Sequence, residues 1–227
     1  YKANPVANPT RGTSPRDPHV FWHAPSKTWI NAIYQGGTTF YGSKDLIKWE
    51  KLSNIRFGYE CPDIYELPLD GDKKKMKWVL QDADGSYLVG QFDGKQFIKE
   101  QEAVLMDNGR DFYAAQTFFR PNMPTDKLLQ IAWNDRWNGG VGEKGWERNA
   151  TIPVVVGLVS YDGAMRITRT PIEGLKKLYK GKPTKLDKQI IKPGANILKD
   201  AKSKTFDMTA VFDLNDTSAK SIDFRIA

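Results

Sequence analysis

Hydrophobic and polar positions change over in short runs along these 227 residues, and no segment carries a long apolar period of 3.6. The runs VFWH, WINAIYQ, TTFYGS, DIYELPL, KWVLQD, SYLVGQF, KQFIKE, TFFRP, LLQIAW, TIPVVVGLVS and MRITRT have the length and bounds of strands. Between them stand GG, DG, PN and SKD, which supply positive φ or Asx-turn hydrogen bonds to tight turns. The pattern predicts an all-β chain.

The strands also group into units. One opens at Asp17-Pro18 and holds VFW, WINAIYQ, TTFYGS and WEKLS. The next opens at Cys61-Pro62-Asp63 and holds IYELP, WVLQD, YLVGQF and FIKE. A third opens at Asp111 with FYAAQTF and LLQIAW, then resumes after an insertion with TIPVVVGLVS and MRITRTPI. The opening aspartates Asp17, Asp63 and Asp111 stand 46 (63 − 17) and 48 (111 − 63) residues apart. Four strands repeating with a period in the forties predict β-propeller blades. Three blades are fewer than the roughly four to eight that close a propeller, so the chain is expected to be incomplete or to close its ring with another segment.

In a propeller the first strand of each blade lines the central channel, and the residues at its start converge on the axial funnel. Those positions hold Arg16, Asp17, Glu60, Asp63 and Asp111. Acidic side chains gathered there repel one another, which stability alone does not call for. The competing reading is that the aspartates cap turns ahead of strands. Paired carboxylates with abundant aromatics point to glycoside hydrolysis, in which one carboxylic acid protonates the leaving oxygen and a second carboxylate attacks carbon or activates water. Glu60 and Asp17 are the candidate catalytic pair. Tyr59 before Glu60 and Cys61-Pro62 after it form an apolar setting suited to a general acid. Trp133, Trp137, Trp146, Phe112 and Tyr113 are candidate sugar-stacking faces, while Trp29, Trp49 and Trp78 are expected in packing between blades.

Charge changes this picture little. Lys and Arg exceed Asp and Glu by seven, and residues 173–204, with ten Lys, no Arg and only Glu173, Asp187 and Asp200, carry the whole excess. A Lys-only stretch broken by Pro and Gly reads as a solvated linker, because base and phosphate recognition draws on Arg forks and interleaved aromatics. No nucleic-acid partner is expected. No apolar run approaches the roughly 20 residues of a membrane span, so no membrane partner is expected either. Cys61, the single cysteine, cannot form an internal disulfide and reads as a structural thiol. His19 and His23 lie four apart without the helical geometry that would bring them to one ion, so no metal or cofactor is expected. His19 reads as a hydrogen-bonding neighbour of the funnel, and His23 as a blade residue. Asp70-Gly71-Asp72 reads as a hairpin tip rather than a calcium loop.

The strings RDPHVFWH (16–23), ECPDIYELP (60–68) and DFYAAQTFF (111–119) resemble, in order and spacing, glycoside hydrolase family 32, which contains fructan hydrolases, invertases and sucrose-6-phosphate hydrolases. QIAWNDRW and WERNATIP resemble that family's next segment. The resemblance implies a five-bladed β-propeller followed by a C-terminal β-sandwich. On that reading residues 1–172 are part of the propeller, 173–190 a basic linker, and 191–227 the start of the sandwich. It also implies retaining cleavage of β-fructofuranosidic bonds in levan, inulin, sucrose or fructo-oligosaccharides. Carried over residue by residue, Glu60 is the general acid/base, Asp17 a transition-state stabiliser, and Arg16 a residue that helps hold the sugar. Asp63, Asp111 and Trp133 are further substrate-contact candidates. The family's nucleophile is an aspartate in an Asn-Asp-Pro-Asn-Gly-like motif, which does not occur in this sequence. The first two blades are therefore expected upstream of Tyr1, and this segment alone is expected to be inactive.

Two other readings compete: a non-catalytic carbohydrate-binding propeller, and a family 43-type hydrolase of arabinan or xylan. After ATIP the family usually continues with an Arg-Glu pair, where this sequence has Val154, Val155 and Val156. The choice among fructosides is left open by that departure. No signal peptide is visible, and a secreted or periplasmic location is expected only from the polymeric substrates of the family.

Overall fold

The computed structural model describes residues 14–118, 127–134, 149–201, 205–215 and 220–222. Contacts divide the chain into two units, Tyr1–Leu178 and Tyr179–Ala227. Among its described residues the first is all-β apart from a short 3-10 turn at Glu173–Leu178. It contains three antiparallel meanders of four strands. The first comprises β1 (Arg16–His23), β2 (Thr28–Tyr34), β3 (Thr38–Ser43) and β4 (Glu50–Ile55). The second comprises β5 (Asp63–Leu69), β6 (Asp72–Gln81), β7 (Ser86–Phe92) and β8 (Phe97–Lys99), with β9 (Val104–Leu105) also paired to β7. The third comprises β10 (Phe112–Phe118), β11 (Leu128–Asn134), β12 (Val154–Tyr161) and β13 (Ala164–Pro171). These are the strand groups that the hydrophobic pattern predicts, and the arrangement is consistent with a β-propeller.

The pleat explains why the middle meander reads as nearly continuous apolar runs. Successive side chains point to opposite faces. Ile64, Leu80 and Leu88 therefore face the first meander, where they pack with Ile30, Ala32 and Phe40. Their neighbours Tyr65, Leu67, Val79 and Val89 face the third, against Leu128, Val156 and Leu158. Both faces are buried, and each fully buried Leu, Val or Phe contributes about 1.5–3 kcal/mol. The second and third meanders also meet through one parallel pair, Leu158 with Leu69. At the β5–β6 hairpin, Asp70 and Gly71 both take positive φ (55° and 75°), the type I′ turn that matches the right-handed twist of its strands.

A non-glycine residue with positive φ stands at or just before the start of the first strand in all three meanders, and in two of them the register slips there. β1 slips register between Arg16 and His19, with Asp17 at φ 58°. β10 slips between Tyr113 and Gln116, with Ala114 at φ 51°. Cys61, at φ 43°, stands two residues ahead of β5. The equivalent residues are therefore Arg16, Glu60 and Tyr113, each placed directly before the positive-φ position. This corrects the repeat read from the aspartates: Asp17 occupies the positive-φ position itself, Asp63 follows it by two residues, and Asp111 precedes it by three.

The first unit ends at Leu178, six residues beyond the end expected for the propeller portion, and the second begins at Tyr179. Its described residues contain no strand and are exposed. The run FDMTAVFDL (206–214), expected as sandwich, has no partner strand among the described residues, and an unpaired strand would leave its peptide groups to water. Most of SIDFRIA lies outside the described residues.

Candidate active site

The positive-φ positions set the geometry. Arg16 and Tyr113 are the last paired residues before the register slips of β1 and β10, Glu60 lies in the bend just before Cys61, and the three side chains meet. Arg16 Nε donates to Glu60 Oε1 at 3.2 Å, and Tyr113 donates its hydroxyl to Glu60 Oε2. The carboxyl of Glu60 is thus held on both oxygens, with about a third of its side chain open to solvent. The setting expected to be apolar is in fact polar and charged. Burial first, and then the bond to Glu60, pushes the pKa of the Tyr113 hydroxyl above its usual range.

Asp17 belongs to the same cluster. Its Oδ2 lies 3.8 Å from the Arg16 Nε that pairs with Glu60, so a single guanidinium nitrogen stands between the two candidate carboxylates. Oδ2 also accepts the backbone N–H of Cys61 at 3.1 Å, with the Cys61 Sγ 3.6 Å away. Burial and the Asp17 charge push the Cys61 thiol up to about 12, which agrees with a structural thiol. Arg16 itself is fixed on three further sides. It donates to the carbonyls of Tyr59 (2.7 Å) and Ser14 (3.1 Å), and its guanidinium stacks 4.2 Å from the centre of the Tyr34 ring.

The other candidates are placed differently. Asp63 does not open onto the cluster. It is wholly buried, with Oδ2 accepting the Thr117 N–H at 2.7 Å and Oδ1 3.0 Å from His19 Nδ1. It links meanders from within, and His19, expected as a hydrogen-bonding neighbour of the funnel, instead approaches buried Asp63 without a well-directed hydrogen bond. Asp111 pairs with Arg110 at the surface (3.5 Å) and is not in the chain of contacts through Glu60. Trp133 is 40% exposed, with its ring 6.2 Å from that of Tyr113, which places an aromatic face beside the cluster. Tyr113 and Phe112 are both buried and do not offer open stacking faces. Tyr113 serves Glu60 instead, and Phe112 lies under the Arg169 guanidinium at 4.3 Å. Trp137 and Trp146 lie outside the described residues. Of the tryptophans expected in packing, Trp78 joins the core between the first two meanders, whereas Trp29 and Trp49 are half-buried outside it. His23 is a blade residue, buried against Trp78 and Phe92.

One residue of the site gave no signal in the sequence. Asp82, at the end of β6 in the turn DADG, is 3% exposed and sends Oδ1 to the N–H groups of both Tyr59 and Glu60, each at 3.1 Å. Burial raises its pKa, and those N–H groups oppose the rise. Chemically, the cluster joins a supported carboxyl that can exchange a proton to a second carboxylate and a guanidinium able to bind hydroxyl groups.

Residues 1–170 match the glycosyl hydrolases family 32 N-terminal domain. The chain is 29% identical to a levanase of Bacillus subtilis (strain 168), in an alignment covering 100% of this chain and 37% of the levanase. It is 33% identical to an extracellular exo-inulinase of Meyerozyma guilliermondii, covering 85% of this chain and 43% of that protein. Among solved structures it resembles the exo-inulinase from Aspergillus awamori, with a TM-score of 0.67 at 27% identity over 77% of this chain and 40% of that one. The β-fructofuranosidase from Schwanniomyces occidentalis complexed with fructosyl-erythritol gives a TM-score of 0.64 at 28% identity, over 75% and 38%. The chain thus spans less than half the length of each of these proteins.

Proposed function

Because the chain belongs to glycoside hydrolase family 32, we propose that it forms the acid/base half of a retaining enzyme that hydrolyses β-fructofuranosidic bonds. The observation that carries this reading is the Glu60 carboxyl, held between the Arg16 guanidinium and the Tyr113 hydroxyl, with the Asp17 carboxylate on the same guanidinium. Glu60 protonates the departing glycosidic oxygen, and the carboxylate left behind is met by two donors already in place. In the second step the same carboxylate takes a proton from the incoming water. Asp17 and Arg16 grip hydroxyl groups of the fructosyl ring, and Trp133 offers a flanking apolar face. The nucleophilic carboxylate comes from residues outside these 227, which also supply the remaining blades of a five-bladed ring. Residues 173–190 link the propeller to a β-sandwich that begins in 191–227. The levanase, exo-inulinase and β-fructofuranosidase names of the similar proteins support a fructoside as substrate.

The test is Glu60→Gln in the full-length protein, with fructose release measured on sucrose, inulin and levan. General acid–base catalysis contributes roughly a hundred- to ten-thousand-fold, and the variant is expected to lose that much while its circular dichroism is unchanged. Wild-type turnover by Glu60→Gln would sink the assignment.

A further inference from the structure

Glu60 lies in a bend outside any strand, so no ladder fixes its backbone. Its peptide groups are nonetheless all engaged. The carbonyl of Tyr59 accepts from Arg16 and the carbonyl of Glu60 accepts from the Ala83 N–H at 3.2 Å. The N–H of Cys61 donates to Asp17, and the N–H groups of Tyr59 and Glu60 converge on the single oxygen Oδ1 of Asp82. Asp82 can serve as a fixed acceptor because its own turn is tied down: its N–H donates to the Ser86 carbonyl at 2.9 Å, and its carbonyl accepts from Gly85 at 3.1 Å. The approach also depends on Gly58. This glycine has φ +81°, and a Cβ on it would stand 3.0 Å from Asp82 Oδ1. A buried carboxyl is costly to keep where an apolar residue would fit, and at this place its use is to hold the turn.

We propose that Asp82 is a positioning residue for the acid/base, fixing the 58–60 turn so that the Glu60 carboxyl meets Arg16 and Tyr113 in register with the substrate. The inference rests on the reading of Glu60 given above. Asp82 touches no reacting atom. What the turn uses is an acceptor oxygen at the right reach, which asparagine retains and alanine does not.

The test compares Asp82→Ala, Asp82→Asn and Glu60→Gln in the full-length protein, reading kcat/KM on sucrose and on a nitrophenyl β-fructofuranoside. The nitrophenolate leaves without a proton, so its release does not need the general acid. Displacing a catalytic group by about 1 Å costs up to roughly a hundredfold, so Asp82→Ala is expected to lose about ten- to a hundredfold on sucrose. On the aryl fructoside it stays within about threefold of wild type, and Asp82→Asn does so on both substrates, as expected where an acceptor oxygen is retained. If Asp82→Ala fails to fold, Gly58→Ala, which drives a methyl group against Asp82, is expected to show the same split. Equal losses on both substrates would mean a merely structural role and overturn the proposal, as would wild-type rates on both. When either result accompanies a normal split in Glu60→Gln, only the role of Asp82 fails. Unimpaired sucrose cleavage by Glu60→Gln would instead bring down the reading of Glu60, and this inference with it.

Discussion

His19 Nδ1 and Asp63 Oδ1 lie 3.0 Å apart across the seam between the first and second meanders, and Asp63 is wholly buried there. The contact is a close approach rather than an aligned hydrogen bond, since Oδ1 has no well-directed donor. The other oxygen accepts the Thr117 N–H of the third meander, so one carboxyl joins all three. Burial raises its pKa, while His19 and Thr117 pull it down. Asp63→Ala strands both partners and is expected to cost about 3 kcal/mol, the order found when a buried polar pair is broken. Asp63→Asn keeps an oxygen for Thr117 and is expected to cost clearly less. Thermal or urea unfolding of the two variants decides it, and equal losses would refute the link to Thr117.

Arg16 is expected to resist replacement by lysine. Its planar fork reaches Glu60, Tyr59 and Ser14 together while its face rests on Tyr34, which a single ammonium cannot reproduce. Hydrogen bonds to charged groups are worth about 1.5–3 kcal/mol, so Arg16→Lys in the full-length enzyme is expected to lower kcat/KM about ten- to a hundredfold. The melting temperature should move little, because the side chain is a third exposed. Full activity in Arg16→Lys would show that charge alone is needed.

His23 makes stability depend on pH. Burial lowers its pKa below 6.5, partly opposed by Asp93, and its Nδ1 lies 2.7 Å from the Ser26 hydroxyl. The unfolded chain therefore takes up the proton more readily than the folded one. The stabilisation is complete above the unfolded value and is lost as pH falls through it toward the folded value. Between about pH 7 and about pH 5, the range in which histidine titrates, wild-type protein is expected to lose urea stability more steeply than His23→Gln. Parallel slopes would show that His23 does not titrate on unfolding.

Cys61 is expected to be inert while the protein is folded. The thiolate is the reactive form, and a thiol pushed up to about 12 supplies almost none at neutral pH. Iodoacetamide should leave the native mass unchanged and add one group after denaturation. Alkylation of native protein at the denatured rate would contradict the contact with Asp17.

Strand content, strand grouping and the hairpin at Asp70-Gly71 were legible in the sequence, because the pleat writes itself as alternation and turns demand particular residues. The catalytic candidates Glu60, Asp17 and Arg16 were legible through their motifs. The repeat read from Asp17, Asp63 and Asp111 misses the backbone equivalence of Arg16, Glu60 and Tyr113, which follows a positive-φ position that no residue type announces. Tyr113 was read as a stacking face and proves to be the second donor to Glu60. Nothing local in the sequence marks Asp82 as the acceptor for a bend some twenty residues earlier. Alternation along a strand is a property of neighbouring residues, so sequence alone determined which segments pair and which faces are buried. The meeting of Arg16, Glu60, Tyr113 and Asp82 depends on how bulged strands and turns pack across long stretches of chain, and only the tertiary structure decided that.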